Sequence, residues 1–260
     1  MRKIAILIPA YNEEKRIGRT LDAYSVYFEN LRENNVLDYE ILVVINNTTD
    51  RTEEIVKNAI MENGRIAYLN LKPGGKGFAV IEGFKDALKR ENDLIGFVDA
   101  DLATRPEDFY DLIRRIGGAG GAIASRYVPG ARVQPKQSWQ RVFVSRAFNF
   151  FIRSFLFLPY RDTQCGAKLF KRKAIEKSVG RLTMSQWAFD VDLIYSVRKS
   201  GFSVREVATR WSDREYSKIN FWKAGPLMVL GVIRLRLLNS SLRDFIRIYD
   251  RLLNWIKNRK

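Results

Sequence analysis

With 260 residues, 46% of them apolar and 28% charged, the chain is long enough to bury a real core and has the composition of a globular protein. Lys and Arg number 45 against 29 Asp and Glu, a formal charge of +16 that calls for an anionic partner: a phosphate-rich substrate, an acidic membrane surface or nucleic acid. Histidine is absent and Cys165 is the single cysteine, which excludes His-based nucleophile systems, His-ligated metals, zinc clusters and internal disulfides, so that any metal must be held by oxygen.

The first apolar run follows Arg2 and Lys3, but it stops at Pro9 and meets Glu13 and Glu14, which does not match a signal peptide. No stretch reaches the roughly 18–20 apolar residues of a membrane span. A strand is expected over Lys3–Ile8, then the turn Pro9-Ala10-Tyr11-Asn12-Glu13-Glu14 and a helix from Ile17 to Arg32. A second strand over Tyr39–Ile45 runs into Asn46-Asn47-Thr48-Thr49-Asp50, a loop and cap for a helix over Arg51–Asn63. Ile66–Leu71 reads as a third strand. The glycine-rich turn around Lys76 opens a helix through Lys89 and is either a phosphate contact or a plain connection. A fourth strand, Leu94–Val98, ends in Asp99-Ala100-Asp101. Residues i and i+2 on a strand share a face, so the two carboxylates converge. They are either ligands of a hard divalent cation or turn aspartates ahead of a helix. This alternation predicts an α/β fold, a mostly parallel sheet with helices on both faces and its polar residues gathered at the carboxyl ends of the strands.

A fifth strand is expected over Ala122–Ser125, leading into Arg126-Tyr127. Gln137 to Tyr160 is dense in aromatics and reads as a helix that is apolar nearly all round, with Arg141, Ser145, Asn149 and Arg153 as its polar line. Such a helix must be covered by protein or by lipid. A polar turn, Arg161-Asp162-Thr163-Gln164-Cys165-Gly166, enters a short strand. A helix starts near Trp187-Ala188-Phe189-Asp190, Ser203–Trp211 reads as one strand, and Asp213–Lys218 as a charged loop. The chain is expected to divide into a catalytic domain over residues 1–220 and a basic segment over 221–260. That segment reads as two amphipathic helices, either packed with solvated charge or lying on an anionic membrane.

In this order the motifs resemble those of family 2 glycosyltransferases of the GT-A fold, and most of all the polyprenyl-phosphate (dolichyl-phosphate) hexose synthases. The matching residues are Ile8-Pro9-Ala10-Tyr11-Asn12-Glu13-Glu14, Lys76-Gly77-Phe78-Ala79, Asp99-Ala100-Asp101, Ser125-Arg126-Tyr127, Asp162-Thr163-Gln164-Cys165-Gly166 and Trp187-Ala188-Phe189-Asp190. The last two look more like the glucosyltransferase branch than the mannose branch. The resemblance implies inverting transfer of a hexose from a nucleotide-diphosphate sugar, UDP-glucose ahead of GDP-mannose, to a polyprenyl phosphate, with a β-linked product. It implies that Asp99 and Asp101 hold Mg²⁺ or Mn²⁺ on the donor diphosphate. Pro9, Tyr11, Glu13, Asn46, Lys76 and Asp99 would line the donor site, and Arg126, Arg141, Arg214, Ser217 and Lys218 would hold the acceptor phosphate. Asp190 joins the two metal aspartates as a catalytic candidate, and Asp162 and Gln164 belong to a family motif of unassigned role. One departure stands out. Where the family usually has Val-Asp-Asp-Gly-Ser-Thr-Asp, the aspartate pair that meets the base falls on Ile45 and Asn46.

An acceptor phosphate is already largely anionic at neutral pH, with a second pKa of about 6, so it attacks without a strong base. The reading places the protein peripherally on the cytoplasmic face of an anionic membrane and away from nucleic acid. A saccharide acceptor is the nearer rival, with Asp190 as its base. A basic nucleic-acid-binding protein is the remote one, and the sequence has no zinc-finger spacing or RNP-like run to support it.

Overall fold

The computed structural model describes residues 1–134, 139–183, 188–212, 221–241, 243–246 and 249–251. Strands β1 (Lys3–Ala10) and β2 (Asp38–Asn46) are nearly unbroken apolar runs, buried along almost their whole length. Runs of that kind form strands covered on both faces. Side chains of β1 divide between those faces by alternation: Ile4, Ile6 and Ile8 enter one core cluster, Ala5 and Leu7 the other.

The first half continues as α1 (Ile17–Glu33), α2 (Thr52–Glu62), β3 (Ile66–Leu71), α3 (Lys76–Ala87), β4 (Leu94–Phe97) and α4 (Pro106–Arg115). The second half adds β5 (Gly121–Ser125), β6 (Arg132–Gln134), α5 (Trp139–Leu156), β7 (Lys168–Lys171), α6 (Arg172–Ser178), α7 (Phe189–Lys199), β8 (Val204–Ala208), β9 (Arg210–Ser212) and α8 (Phe221–Leu238). Seven strands form one sheet in the order β3-β2-β1-β4-β7-β5-β8, parallel except for β7, which runs against both of its neighbours. Helices α1, α2 and α4 cover one face, and α3, α5, α7 and α8 contribute to the core on the other. The expected parallel sheet with two helical layers is the fold found.

Winding reverses at β1, which pairs with β2 on one side and with β4 on the other. At such a switch point the loops beyond the strand ends diverge and leave a crevice for a ligand. Here they are Tyr11–Glu13 after β1 and Asp99–Asp101 after β4.

One expectation is corrected. Ser203–Trp211 is two strands: after Ala208 the chain leaves the large sheet and β9 pairs with β6 instead. Buried Asp108 accounts for the change of direction, because its Oδ1 accepts from both the backbone N (3.1 Å) and the Nε (3.0 Å) of Arg210. At the start of the C-terminal segment α8 packs on the protein, with Met228, Val232 and Leu235 buried. A Cβ on Gly231 would stand 2.7 Å from the Cβ of Ala188, so α8 presses directly on the entry to α7. The chain then folds back on α8, with Arg234 paired to Asp250 (2.7 and 3.0 Å) and the Tyr249 hydroxyl donating to Leu230 O (2.6 Å). The rest of the expected second helix lies outside the described residues.

Candidate active site

β4 ends at Phe97, and Val98 N still donates to Leu7 O (3.0 Å), so Asp99 and Asp101 leave the sheet beside the end of β1. The turn that carries them is fixed on three sides. Thr20 of α1 donates its hydroxyl to Ala100 O (2.8 Å), Asp101 Oδ1 accepts from Ala103 N (3.0 Å), and Leu102 adopts a left-handed φ of 58°. Burial, and then the charge of Asp99, push the Asp101 carboxyl above its ordinary range. Two carboxylates forced together in this way call for positive charge. The cations nearest to them come from the protein itself: Arg16, bound through two 2.6 Å hydrogen bonds to Glu13, and Lys76.

Lys76 opens α3 after Gly75, whose φ of 122° brings the chain into the helix. Its ammonium lies 2.6 Å from Asp99 Oδ1 and 4.0 Å from Asp190 Oδ2. Behind Asp190, at the start of α7, stands Lys168 of β7, with Nζ 2.6 Å from Asp190 Oδ1 and 2.6 Å from Cys165 O. Charges therefore alternate from solvent to core: Asp99, Lys76, Asp190, Lys168. Lys168 is fully buried, whereas Lys76 and Asp99 keep 38% and 37% of their side-chain surface, open to a ligand. Both ammonium groups also lie over the Phe97 ring, at 5.5 and 5.3 Å. Burial works against the Lys76 charge, but Asp99 and Asp190 outweigh it and hold the group protonated, well above the usual lysine range. Gly166 completes this wall: a Cβ there would fall 1.9 Å from Asp99 Oδ2, so only glycine lets the backbone pass the carboxylate.

The second cluster is built on Asp162, which is fully buried. It accepts from Arg126 at the backbone N (2.9 Å), Nε (2.8 Å) and Nη2 (2.9 Å), and the Arg126 guanidinium also lies over the rings of Tyr127 and Trp211. Burial alone would raise the Asp162 pKa, but Arg126 reverses that and holds the carboxyl below its ordinary range. The next residue, Thr163, donates its N (3.2 Å) and hydroxyl (3.1 Å) to Asn149 of α5. Gln164 is half-buried beside them, and Cys165 is buried with its thiol pushed up to about 12, chiefly by burial, which leaves it unreactive.

On the donor side Pro9 is buried at the end of β1, Tyr11 is 52% exposed, and Glu13 is committed to Arg16 while its backbone N donates to Thr52 Oγ1 (2.8 Å). Asn46 is buried. With its amide turned to suit its neighbours, Nδ2 donates to Ala10 O (3.0 Å) and Oδ1 accepts from Gly75 N (2.9 Å). It thus braces the ends of β1 and β2 against the turn before α3. The structure brings Asp99, Asp101, Lys76 and Asp190 into one charged cluster and sets Arg126 on Asp162 in a second. Arg214, Ser217, Lys218 and Trp187 lie outside the described residues, as does the side chain of Arg141.

Lys168 and Arg16 are absent from the expectations drawn from the sequence. A signal existed for the first: a lysine within the otherwise apolar run Ala167-Lys168-Leu169-Phe170 must find a buried anion. None existed for Arg16, whose pairing depends on a loop conformation.

Residues 5–179 match the family model described as "Glycosyl transferase family 2". The chain belongs to that family. Among its relatives, a dolichyl-phosphate beta-glucosyltransferase of Dictyostelium discoideum is 30% identical over 243 residues, covering 90% of this chain and 73% of the relative. The Drosophila melanogaster enzyme of the same name is 32% identical over 232 residues, covering 85% and 70%. Among solved structures, glucosyl-3-phosphoglycerate synthase of Mycobacterium tuberculosis, crystallised with Mn²⁺, UDP and glucosyl-3-phosphoglycerate, superposes with a TM-score of 0.64 at 18% identity. That match covers 91% of this chain and 79% of the synthase, and it establishes a shared fold. For a family 2 glycosyltransferase, the crevice at the β1–β4 switch point is the expected place for the nucleotide sugar.

Proposed function

We propose that this family 2 glycosyltransferase transfers glucose from UDP-glucose to a polyprenyl phosphate of the dolichyl type, with inversion, at the cytoplasmic surface of an anionic membrane. The names of its relatives supply the reaction class. The observation that carries the choice of acceptor is the environment of Asp190. One of its oxygens is 2.6 Å from Lys168 and the other 4.0 Å from Lys76. A carboxylate between two ammonium groups serves as a counter-ion. A saccharide hydroxyl would need it as a base, whereas a phosphate arrives with its charge already developed. In the transfer an acceptor phosphate oxygen forms the new bond to the anomeric carbon, and the bond from that carbon to the donor's β-phosphate oxygen breaks. The nucleoside diphosphate leaves with the electron pair.

Asp99 and Asp101 fit a hard divalent cation, Mg²⁺ or Mn²⁺: they are oxygen donors, held together against their own repulsion, and open on one side. Among the described residues no group of three His, Cys, Asp or Glu forms a complete metal cage. That suits a cation which takes its remaining ligands from a diphosphate and water. When bound, it supplies charge neutralisation on the leaving diphosphate. Lys76, partnered on both sides by carboxylates, is placed to turn its ammonium toward the same diphosphate. Arg126, locked by Asp162, offers an oriented cationic surface on the acceptor side rather than a mobile charge, and Arg141, Arg214, Ser217 and Lys218 are proposed to complete it. Among the described residues no helix is long and apolar enough to cross a membrane.

A panel of UDP- and GDP-sugars, offered with a polyprenyl phosphate or with free saccharides, tests this reading. Glucose should pass from UDP-glucose to the lipid phosphate, stop with EDTA and resume with added Mg²⁺ or Mn²⁺. Transfer only to saccharides would refute the acceptor, and turnover that survives EDTA would refute the metal.

A further inference from the structure

Helix α5 is anchored to the active-site layer along one side. Asn149, Ile152 and Leu156 are buried, and Phe148, Phe151 and Phe155 pack partly against the core. The opposite side carries apolar bulk that the protein leaves uncovered: Phe143 is 68% exposed, Phe150 68% and Phe157 75%. Phe143 and Phe150, seven positions apart, share one face of the helix about 10 Å apart along its axis, and Phe157 follows immediately after the helix ends at Leu156. Burying these rings elsewhere was open to a segment this rich in phenylalanine, yet all three are left exposed. Phe157 is held out at a left-handed φ of 54°, a conformation that strains a bulky residue. Three large rings left uncovered on one segment make a surface suited to a partner outside the chain.

The charge around the stripe identifies that partner. Exposed Arg146 and Arg153 alternate with the three rings along the segment. Arg236 of α8 stacks over Phe157, with its guanidinium 5.4 Å from the ring. From Leu112 to Arg161 the sequence has nine Lys or Arg residues and no Asp or Glu. At the end of the stripe Phe150, Arg153, Ser154, Phe157, Leu158 and Pro159 border an open cleft of about 350 Å³. Rings that enter the acyl layer, flanked by arginines that reach up to phosphates, match an anionic bilayer. A folded acidic protein would supply carboxylates for the arginines, but it would have no loose apolar layer to receive three separated rings.

We infer that the Phe143–Phe150–Phe157 stripe along α5 and just past its end, with Arg146 and Arg153, is the face by which the protein docks on an anionic lipid bilayer, and that α8 is not. Met228, Val232 and Leu235 of α8 face the core instead. This inference rests on the lipid-phosphate reading and deepens it. The docked helix is tied directly to the Arg126 cluster: Asn149 accepts from Thr163, next to Asp162, and the Tyr127 hydroxyl donates to Ser145 Oγ (2.9 Å). Docking by this face sets Arg126 beside the headgroup layer, where a lipid phosphate enters.

The test is co-sedimentation of the full chain with phosphatidylcholine vesicles, with and without phosphatidylserine, at low and high salt. It is run alongside turnover with a long polyprenyl phosphate in those vesicles and with a short, water-soluble one. Replacing Phe143, Phe150 and Phe157 together by Ser should weaken vesicle binding at least tenfold, roughly the loss expected when several buried rings are withdrawn from lipid. Turnover of the long acceptor should fall with it, while turnover of the short acceptor is kept, which also shows that the variant folds. Arg146→Gln with Arg153→Gln should remove most of the dependence on phosphatidylserine and salt. Unchanged vesicle binding by the triple variant overturns the proposal, as does a parent chain that self-associates through this face and dissociates on substitution without any change in vesicle binding. If binding falls as expected but no polyprenyl phosphate is ever glycosylated, the docking face stands and the acceptor reading fails.

Discussion

The two halves of the candidate site hold their carboxylates in opposite ways. In the first half, Asp99 keeps 37% of its surface and shares a tight turn with Asp101, and the cations near them come from elsewhere in the fold. In the second half, Asp162 is fully buried beneath Arg126, and Asp190 is 13% exposed against a fully buried Lys168. A half-buried like-charged pair is costly until a ligand arrives, whereas a buried opposite-charged pair is complete without one. The first half is therefore built to receive a cation and its diphosphate. The second is built to hold a shape while an anion approaches.

The largest effect should follow from emptying the receptive half. Asp101→Ala is expected to lower turnover by roughly 10²–10³-fold, the scale of losing one dedicated charge-stabilising group. Its melting temperature should not fall, since the variant relieves the repulsion between Asp99 and Asp101. A variant with normal turnover would mean that the pair is merely a turn. On the other half, Lys168→Met removes the closer of Asp190's two cations and leaves it only Lys76 at 4.0 Å, so unfolding free energy should drop by about 3 kcal/mol. Adding Asp190→Asn should recover most of that stability in denaturant titrations but none of the turnover. Recovered turnover in the double variant would reduce the pair to scaffolding.

The same contrast predicts opposite pH slopes. Asp162 lies below its ordinary range in the native state, so its contribution is present above the unfolded-state pKa and is lost as pH falls through the depressed native value. Asp101 lies above its range, so its favourable contribution is present below the unfolded-state pKa and is lost as pH rises through the raised native value. Denaturant titrations across the acid range should therefore show Asp162→Asn removing a loss of stability on acidification. Asp101→Asn should remove a gain. The effect of Asp162 should be the larger, because it is bound through three hydrogen bonds to a single arginine.

What the sequence disclosed follows from range. Strands β1 to β4 were legible because unbroken apolar runs between turn residues are a local signal, and Ile66–Leu71 is found as expected. The carboxylates at the strand ends were legible for the same reason. Long-range pairing was not. Nothing local tells that Lys168 reaches Asp190 or that Arg126 is oriented by Asp162, since each pair joins segments distant in sequence. Nor did local pattern show that Asp108 would steer Arg210 out of the sheet and divide one expected strand into two. The apolar residues of α8 look the same whether they face a membrane or Ala188, and only the packing distinguishes them.

Asn46 offers the finest test of the comparison, because it belongs to the receptive half but behaves like the other. Family sequence places an aspartate here to meet the donor's base. In this chain the side chain is buried, and both ends of its amide are used: Nδ2 on Ala10 O and Oδ1 on Gly75 N. Asn46→Asp would keep the acceptor and lose the donor, leaving Ala10 O without its partner and a carboxylate against a carbonyl. Such a change costs about 1–3 kcal/mol. If Asn46 is a brace, Asn46→Asp should lower stability by that amount, weaken all donors alike through the disturbed turn before Lys76, and leave the ratio of UDP to GDP affinity within about twofold, the ordinary scatter of such effects. Competition of the two nucleotides against a labelled donor measures the ratio directly. A shift of the ratio toward either nucleotide with stability intact would instead make Asn46 a reader of the base, and the receptive half would then choose its donor as well as hold it.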